Sequence, residues 1–230
     1  MARTNSIWRK PLIQVGTVST REGLALITRK QPQVDLIELR FDALRANHAD
    51  ALGLARAALE KRQNLVLLTL RTQNEGGAHG WKSTERIRLF EKLLPYADAV
   101  DFELANLPLI KSALQLARRL GKKIVLSTHS TKRKITYKRG IEWLEHARHT
   151  RAEIYKIATL ARTRKDLNVL VKLLVNHPEL RLAIMATGPQ AKTSRLVLPL
   201  LGSRLVYGYL DAPAAKGQPP LREVSKALEL

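Results

Sequence analysis

Two residues near the middle of the chain have the types and the spacing to carry covalent chemistry. Lys156 lies inside an apolar run over 152–158, where alternation places it on the same face as Ile154 and Ala158. A lysine held out of water near other cations loses its proton readily and reacts as a nucleophilic amine, which forms an imine with a ketone. The alternative is a lysine whose long stem reaches from the sheet to solvent.

His129 ends the preceding apolar run, over 123–129. If the two runs are adjacent parallel strands, both side chains reach the same edge, and an imidazole beside an imine can move a proton at the neighbouring carbon. The alternative is a purely structural histidine. The other histidines fall in predicted helices or loops and are interpreted as surface residues: His48, His79, His146, His149 and His177. No histidine or carboxylate cluster has metal-ligand spacing, so no metal site is predicted.

Further charged residues lie inside or directly after other apolar runs. Glu38 and Arg40 belong to one run, Arg71 ends the next and is followed by Glu75, and Arg195 follows a later one. Charges in apolar strands are costly unless they are paired or used. The arginines could bind carboxylate and hydroxyl oxygens, which indicates an anionic small-molecule substrate. The alternative for Arg40 is a structural ion pair with Glu38.

The elements that must position these residues follow from eight short apolar, β-branched runs with helical segments between them. The predicted strands are 11–16, 34–40, 65–71, 99–104, 123–129, 152–158, 180–186 and 205–210. Eight repeats in one chain predict a single (β/α)8 TIM barrel over 1–230, with the site at the carboxyl ends of the strands. The rival is an open doubly wound sheet, but no Gly-x-Gly-x-x-Gly follows the first strand.

Three helices carry recognisable end signals or composition. A helix over 107–120 is predicted to begin after Asn106 as N-cap and to end at Gly121. Thr163 and Asp166 have the spacing of a capping box for the helix that follows. A third helix, over 49–62, is rich in alanine and leucine.

Composition narrows the class of protein. The 230 residues include no cysteine, which excludes disulfides and thiol catalysis. No apolar run reaches the roughly 20 residues of a membrane span, and no secretory signal is recognisable, so a cytoplasmic protein is predicted. The net charge of +20 fits an anionic substrate, nucleic acid or a plain solvated surface, and its densest stretch is 130–140.

The types and order of these residues along the chain resemble those of the type I 3-dehydroquinate dehydratase family. The resemblance runs from about residue 11 to 225 and rests on Glu38-x-Arg40-x-Asp42, Arg71 with Glu75-Gly-Gly, His129, Lys156, Ser194-Arg195 and the segment 214–218. It implies a (β/α)8 barrel that dehydrates 3-dehydroquinate to 3-dehydroshikimate, in the shikimate pathway, through a lysine imine and without a cofactor. The chain departs from the family at Ala214, where a serine is common.

The resemblance also implies a role for each residue. Lys156 would form the imine, His129 would be the general acid and base, and Glu75 would orient and tune His129. The ring hydroxyls would be held by Glu38, Arg40 and Arg71, and the carboxylate by Arg195 and Gln218.

Two other functions stay open. Another imine-forming barrel enzyme, such as an aldolase, would share Lys156 but would not require Arg71, Glu75 and Gln218. A nucleic-acid-binding protein is disfavoured, since aromatic residues for base stacking make up only 5% of the chain. Oligomeric state also stays open, with a homodimer as one option.

Overall fold

Eight parallel strands form one sheet in a computed structural model that describes residues 6–229. The sheet order is β7-β6-β5-β4-β3-β2-β1-β8. The strands are β1 (Ile13–Val18), β2 (Leu36–Arg40), β3 (Val66–Thr69), β4 (Ala99–Glu103), β5 (Lys123–Ser130), β6 (Ile154–Leu160), β7 (Leu182–Thr187) and β8 (Leu205–Tyr209).

The sheet curls until its two ends meet. The first strand pairs with both β2 and β8, and the Arg204 N–H beside β8 donates to the Leu182 carbonyl of β7 at 2.7 Å. Helices alternate with the strands around the outside. The predicted (β/α)8 barrel is therefore confirmed, and the open doubly wound sheet is wrong.

Alternation along the strands builds two apolar regions. Outward-facing side chains such as Ile37, Leu68 and Ile157 pack beneath the helices. Inward-facing ones such as Val15, Leu67 and Val125 fill the barrel. Because inner and outer positions alternate with a period of two, the polar residues at the carboxyl ends of the strands face the barrel axis.

The surrounding helices are short and mostly amphipathic. They are α1 (Leu24–Thr28), α2 (Phe41–Asn47), α3 (Ala51–Glu60), α4 (Ser83–Leu93), α5 (Lys111–Arg119), α6 (Tyr137–Arg148), α7 (Arg164–Val175), α8 (Ala191–Leu200) and α9 (Leu221–Ala227). The capping box of Thr163 and Asp166 at the start of α7 is confirmed. Gly121 lies after the end of α5 with φ of +64°, as predicted.

The predicted N-cap at Asn106 is wrong. A 3₁₀ segment, Leu104–Ile110, precedes α5, which begins only at Lys111. The Asn106 amide instead donates to Glu103 Oε2 at 2.6 Å. Its side chain is thus committed to a buried carboxylate at the end of β4 and does not cap the helix.

The strand limits differ from the predicted ones by up to two residues. The first strand begins at Ile13 and not at Pro11, and β6 begins at Ile154 and not at Ala152. Proline has no N–H to donate to a ladder, which explains the first difference.

Across residues 6–229, no helix has the length and apolar composition needed to cross a membrane.

Candidate active site

One cavity at the carboxyl ends of the strands is lined by all eight predicted site residues, which are Glu38, Arg40, Arg71, Glu75, His129, Lys156, Arg195 and Gln218. They come from β2, β5, β6, α8 and the segments after β3 and β8. The barrel therefore brings together residues that lie up to 180 positions apart in the chain.

Lys156 is at the centre of this group. It lies in the middle of β6 and is 4% exposed, so the alternative of a lysine that reaches solvent is wrong. Its Nζ lies 3.2 Å from Asp101 Oδ2 and 3.5 Å from Glu38 Oε1. The ring of Tyr207 lies against the same ammonium, with its centroid 4.3 Å from Nζ. The carboxylates of Asp101 and Glu38 thus hold the amine in place.

His129 and Glu75 form a hydrogen-bonded pair beside Lys156. The Nδ1 atom of His129 lies 2.9 Å from Glu75 Oε2, and the His129 backbone N–H donates to the same oxygen at 2.9 Å. Strands β5 and β6 are adjacent, and His129 is in register with Ala158, two residues beyond Lys156. Imidazole and amine therefore reach the same space from neighbouring strands.

Burial shifts the proton affinity of both partners. It raises the pKa of Glu75 to about 8, against the opposing charge of Arg71. It lowers the pKa of His129 well below its ordinary value, and the cations Arg71 and Lys156 add to that effect. Because the two groups are hydrogen-bonded, they titrate as one dyad whose deprotonated form is a neutral imidazole beside a carboxylate.

The short loop after β3 aims Glu75 at the imidazole. Glu75 ends a 3₁₀ turn, Gln73–Glu75, that is closed by Gly76 in a left-handed conformation with φ of +87°. At Gly77 a Cβ atom would lie 2.2 Å from the Arg71 carbonyl oxygen. The two glycines after Glu75 thus let the chain fold back on the end of β3.

Arg71 is the hub of a buried ion-pair network. Its Nη2 lies 2.9 Å from Asp101 Oδ2, and its Nη1 lies 3.3 Å from Glu103 Oε1 and donates to Ser127 Oγ at 2.9 Å. Burial opposes its charge, but the surrounding carboxylates outweigh that effect and raise the pKa of Arg71. The arginine therefore stays cationic and holds Asp101 next to Lys156.

Arg40 pairs with a different acid from the one considered in the sequence. Its Nε and Nη2 donate to the two oxygens of Asp42 at 2.9 and 2.7 Å, in a bidentate arrangement. The alternative of an Arg40–Glu38 structural pair is wrong. Glu38 instead accepts hydrogen bonds from Thr69 and Thr17, which leaves it directed at Lys156.

Arg195 is a buried cation that has no carboxylate partner within residues 6–229. It lies in α8, is 5% exposed, and donates from Nη1 to the Ala186 and Ala191 carbonyls at 3.0 and 2.9 Å. Its Nε makes no hydrogen bond to the described part of the protein. Burial lowers the pKa of Arg195 to about 10. Such a site favours an anion that enters the cavity.

Gln218 links the segment after β8 to the barrel. Its Nε2 donates to Thr17 Oγ1 at 2.9 Å, and its Oε1 accepts from the Ala214 N–H at 3.0 Å. Arg40 Nη1 donates to the Ala214 carbonyl at 3.3 Å. Gly217 has φ of +78°, a conformation that favours glycine. The 211–218 segment therefore lies over the cavity and is attached to two strands.

Sequence reasoning missed the two acids of β4, Asp101 and Glu103, and also Ser127. Asp101 and Glu103 alternate within the run Ala99–Glu103, are fully or almost fully buried, and bind Arg71. Ser127 donates to Asp101 Oδ1 at 2.5 Å. The signal was available, because two acids on one face of an apolar strand carry the same burial cost that singled out Glu38 and Lys156.

The arrangement places an amine, a proton carrier and an anion-binding residue around one cavity. Lys156 can attack a carbonyl, the dyad of His129 and Glu75 can take and return a proton, and Arg195 can bind a carboxylate. The residues from 6 to 229 contain no cluster of three or more His, Asp or Glu side chains that could hold a metal ion.

Known proteins share this sequence pattern and fold. Residues 13–230 match the family model described as type I 3-dehydroquinase. A 3-dehydroquinate dehydratase from Methanosarcina barkeri is 31% identical over 89% of each chain. One from Hydrogenobaculum sp. is 30% identical over 92% of this chain and 95% of its own.

Solved structures agree with these matches. The 3-dehydroquinate dehydratase of Enterococcus faecalis is 26% identical, with a TM-score of 0.80 over 95% of this chain and 93% of its own. That of Geobacillus kaustophilus has a TM-score of 0.84 at 24% identity, over 95% of this chain and 90% of its own, which supports the barrel fold. Since the family model covers nearly the whole chain, this protein belongs to the type I 3-dehydroquinase family.

Proposed function

We propose that this protein is a hydro-lyase that dehydrates 3-dehydroquinate to 3-dehydroshikimate through an imine on Lys156, in the shikimate pathway. Its family membership and its relatives named as dehydratases support the reaction. The observation that carries the mechanism is the buried Lys156 amine, 3.2 Å from a carboxylate and one strand away from the pair of His129 and Glu75.

The reaction can be written through these residues alone. The Lys156 amine adds to the ketone carbon, and loss of water leaves a protonated imine that withdraws electrons from the adjacent carbon. His129 then takes a proton from that carbon. The electron pair forms the new double bond as the hydroxyl on the next carbon leaves, with a proton from the imidazolium, as water. Hydrolysis of the imine returns the lysine and releases the product.

The remaining residues are proposed to bind the substrate. Arg195, as a buried cation without an acid partner in residues 6–229, is assigned to the carboxylate, together with Gln218. Glu38, Arg40 and Arg71 are assigned to the ring hydroxyls. Both arginines are already paired with acids, so they would use their remaining N–H groups for the substrate. A cytoplasmic location and a homodimer stay predictions.

The test is covalent trapping. Incubation with 3-dehydroshikimate and borohydride should reduce the imine to a stable adduct, which mass spectrometry should locate on Lys156. Lys156→Ala should abolish both the adduct and the rise in enone absorbance from 3-dehydroquinate. Lys123→Ala is the matched control, because Lys123 lies at the opposite end of the neighbouring strand and pairs with Glu153 at 3.0 Å.

Two outcomes would redirect the assignment. An adduct on another lysine, or none, would overturn the mechanism. Imine formation with other ketones but no turnover of 3-dehydroquinate would favour an aldolase. His129→Ala should still accumulate the imine while turnover falls by roughly 10²–10⁴-fold or more, because proton transfer and not attack is then lost.

A further inference from the structure

Tyr207 contains a buried hydroxyl that the mechanism above does not use. It lies on β8, is 3% exposed and lines the same cavity as Lys156 and Arg195. Its hydroxyl makes no hydrogen bond within residues 6–229. A buried hydroxyl without a hydrogen-bond partner is unfavourable, because it has lost its contacts with water. The natural partner for it is therefore a group that enters the cavity.

The ring that carries this hydroxyl lies against the reacting amine. The ring centroid lies 4.3 Å from Lys156 Nζ. Burial, together with the charges of Glu38 and Asp101, raises the pKa of the Tyr207 phenol well above its ordinary value. The group thus keeps its proton at neutral pH, and a neutral phenol can both donate and accept a hydrogen bond.

We propose that the Tyr207 hydroxyl hydrogen-bonds the ketone oxygen of the bound substrate and carries protons from Lys156 Nζ to that oxygen as the imine forms. This inference rests on the proposed function and deepens it. It separates two tasks: Tyr207 serves imine formation, and the dyad of His129 and Glu75 serves the later removal of the carbon-bound proton.

The proton balance of imine formation gives such a carrier a task. A lysine ammonium and a ketone together give a protonated imine and one water, so two hydrogens move from nitrogen to oxygen with no net gain or loss of protons. Nitrogen and oxygen are bonded to the same carbon in the intermediate, so a hydroxyl in the cavity that Lys156 also lines can reach the departing oxygen of a bound substrate. Glu38 Oε1, 3.5 Å from Nζ, is placed to take a proton from the amine, while the neutral phenol can pass one on.

The hydroxyl can be removed without removing the ring. Tyr207→Phe should slow imine formation with 3-dehydroshikimate by roughly 10- to 100-fold, as expected for a lost hydrogen bond to an oxygen that gains charge. Rapid quenching with borohydride measures this rate. The extent of trapping at long times should match wild type. His129→Ala should show the opposite pattern, with normal trapping and slow enone formation from 3-dehydroquinate.

Tyr155→Phe is the matched control. Tyr155 is the chain neighbour of Lys156 but belongs to the outer core, and its hydroxyl donates to the Arg148 carbonyl at 3.4 Å. This variant should trap at the wild-type rate. If Tyr207→Phe also forms the trapped adduct at the wild-type rate, and differs only in unfolding at a higher urea concentration, the buried hydroxyl merely lowers stability. The inference is then overturned. If wild type itself gives no adduct, the proposed mechanism falls along with the inference.

Discussion

Asp101 on β4 and Lys156 on β6 meet across the intervening strand, with Oδ2 and Nζ 3.2 Å apart. The same carboxylate oxygen lies 2.9 Å from Arg71 Nη2. Burial by itself would raise the pKa of Asp101, but Arg71 and Lys156 outweigh it and hold that pKa well below the ordinary value. The barrel thus places an ionised acid between two buried cations, and loss of its charge should affect both stability and chemistry.

Asp101→Asn should lower the free energy of unfolding by about 3–5 kcal/mol, because it leaves buried cations without their partner. Urea denaturation at pH 7 measures this. Glu60→Gln is the control, since its pair with Arg56 is at the surface and should change stability by less than about 1 kcal/mol. Equal effects of the two substitutions would contradict the prediction.

The sign of the pH dependence follows from the lowered pKa of Asp101. Its contribution to stability is fully present above the unfolded value near 3.9 and is lost as the pH falls through the lower folded value. The loss in free energy of unfolding caused by Asp101→Asn should therefore be constant from about pH 5 to 7 and should shrink only in strong acid. Urea midpoints of both proteins across that range provide the test.

Glu75→Gln should move the pH profile of kcat/KM to lower pH. In the wild type, the base form of the dyad appears as the proton with a pKa of about 8 is lost, so kcat/KM should rise with pH and level off above that value. Without the carboxylate, His129 titrates alone with a lowered pKa, so the midpoint of the rising limb should move to a lower pH than in the wild type. An unchanged limb in the variant would disprove the dyad.

Gln218→Ala should raise KM, because it removes the hydrogen bond that ties the 211–218 segment to Thr17 and the one that Ala214 makes within the segment. Ala214→Ser should lower KM by up to about tenfold, since it adds a hydroxyl donor to the lining of the cavity. Steady-state kinetics measure both effects. Product should also protect the 211–220 segment from proteolysis in the wild type. No effect of Gln218→Ala, with no protection, would mean that Arg195 alone holds the carboxylate.

Replacing Lys132, Arg133 and Lys134 with glutamine should leave kcat unchanged. These exposed residues follow β5, and Lys134 pairs with Asp166 at 3.1 Å. If they only attract an anionic substrate, KM should rise modestly and its dependence on salt should weaken, as the Debye length is about 8 Å at physiological salt. The distant exposed pair Arg29 and Lys30, changed in the same way, is the control. A large loss of kcat would show that this segment takes part in the chemistry.

Local sequence signals were sufficient for the repeating elements of this protein. Eight β-branched runs separated by helical segments predict a barrel, because only closure gives every such strand two parallel neighbours. The capping box of Thr163 and Asp166 and the glycine at 121 are local devices, and both appear where the sequence predicts them. Asn106 failed as a cap because its amide donates to Glu103, three residues earlier, and α5 begins only at Lys111.

The sequence alone also singled out most of the charged residues that line the cavity, since a charge inside or just after an apolar strand is conspicuous wherever it lies. Gln218 came only from the family resemblance. The sequence could not decide how these charges pair. Arg40 had two nearby acids and binds Asp42, while Asp101 joins Arg71 to Lys156 across three strands. The pairs of Asp101 depend on barrel closure and strand stagger, which set distances between residues far apart in the chain. For the same reason, only the tertiary structure leaves Arg195 without an acid in the described residues and brings the Tyr207 ring to Lys156.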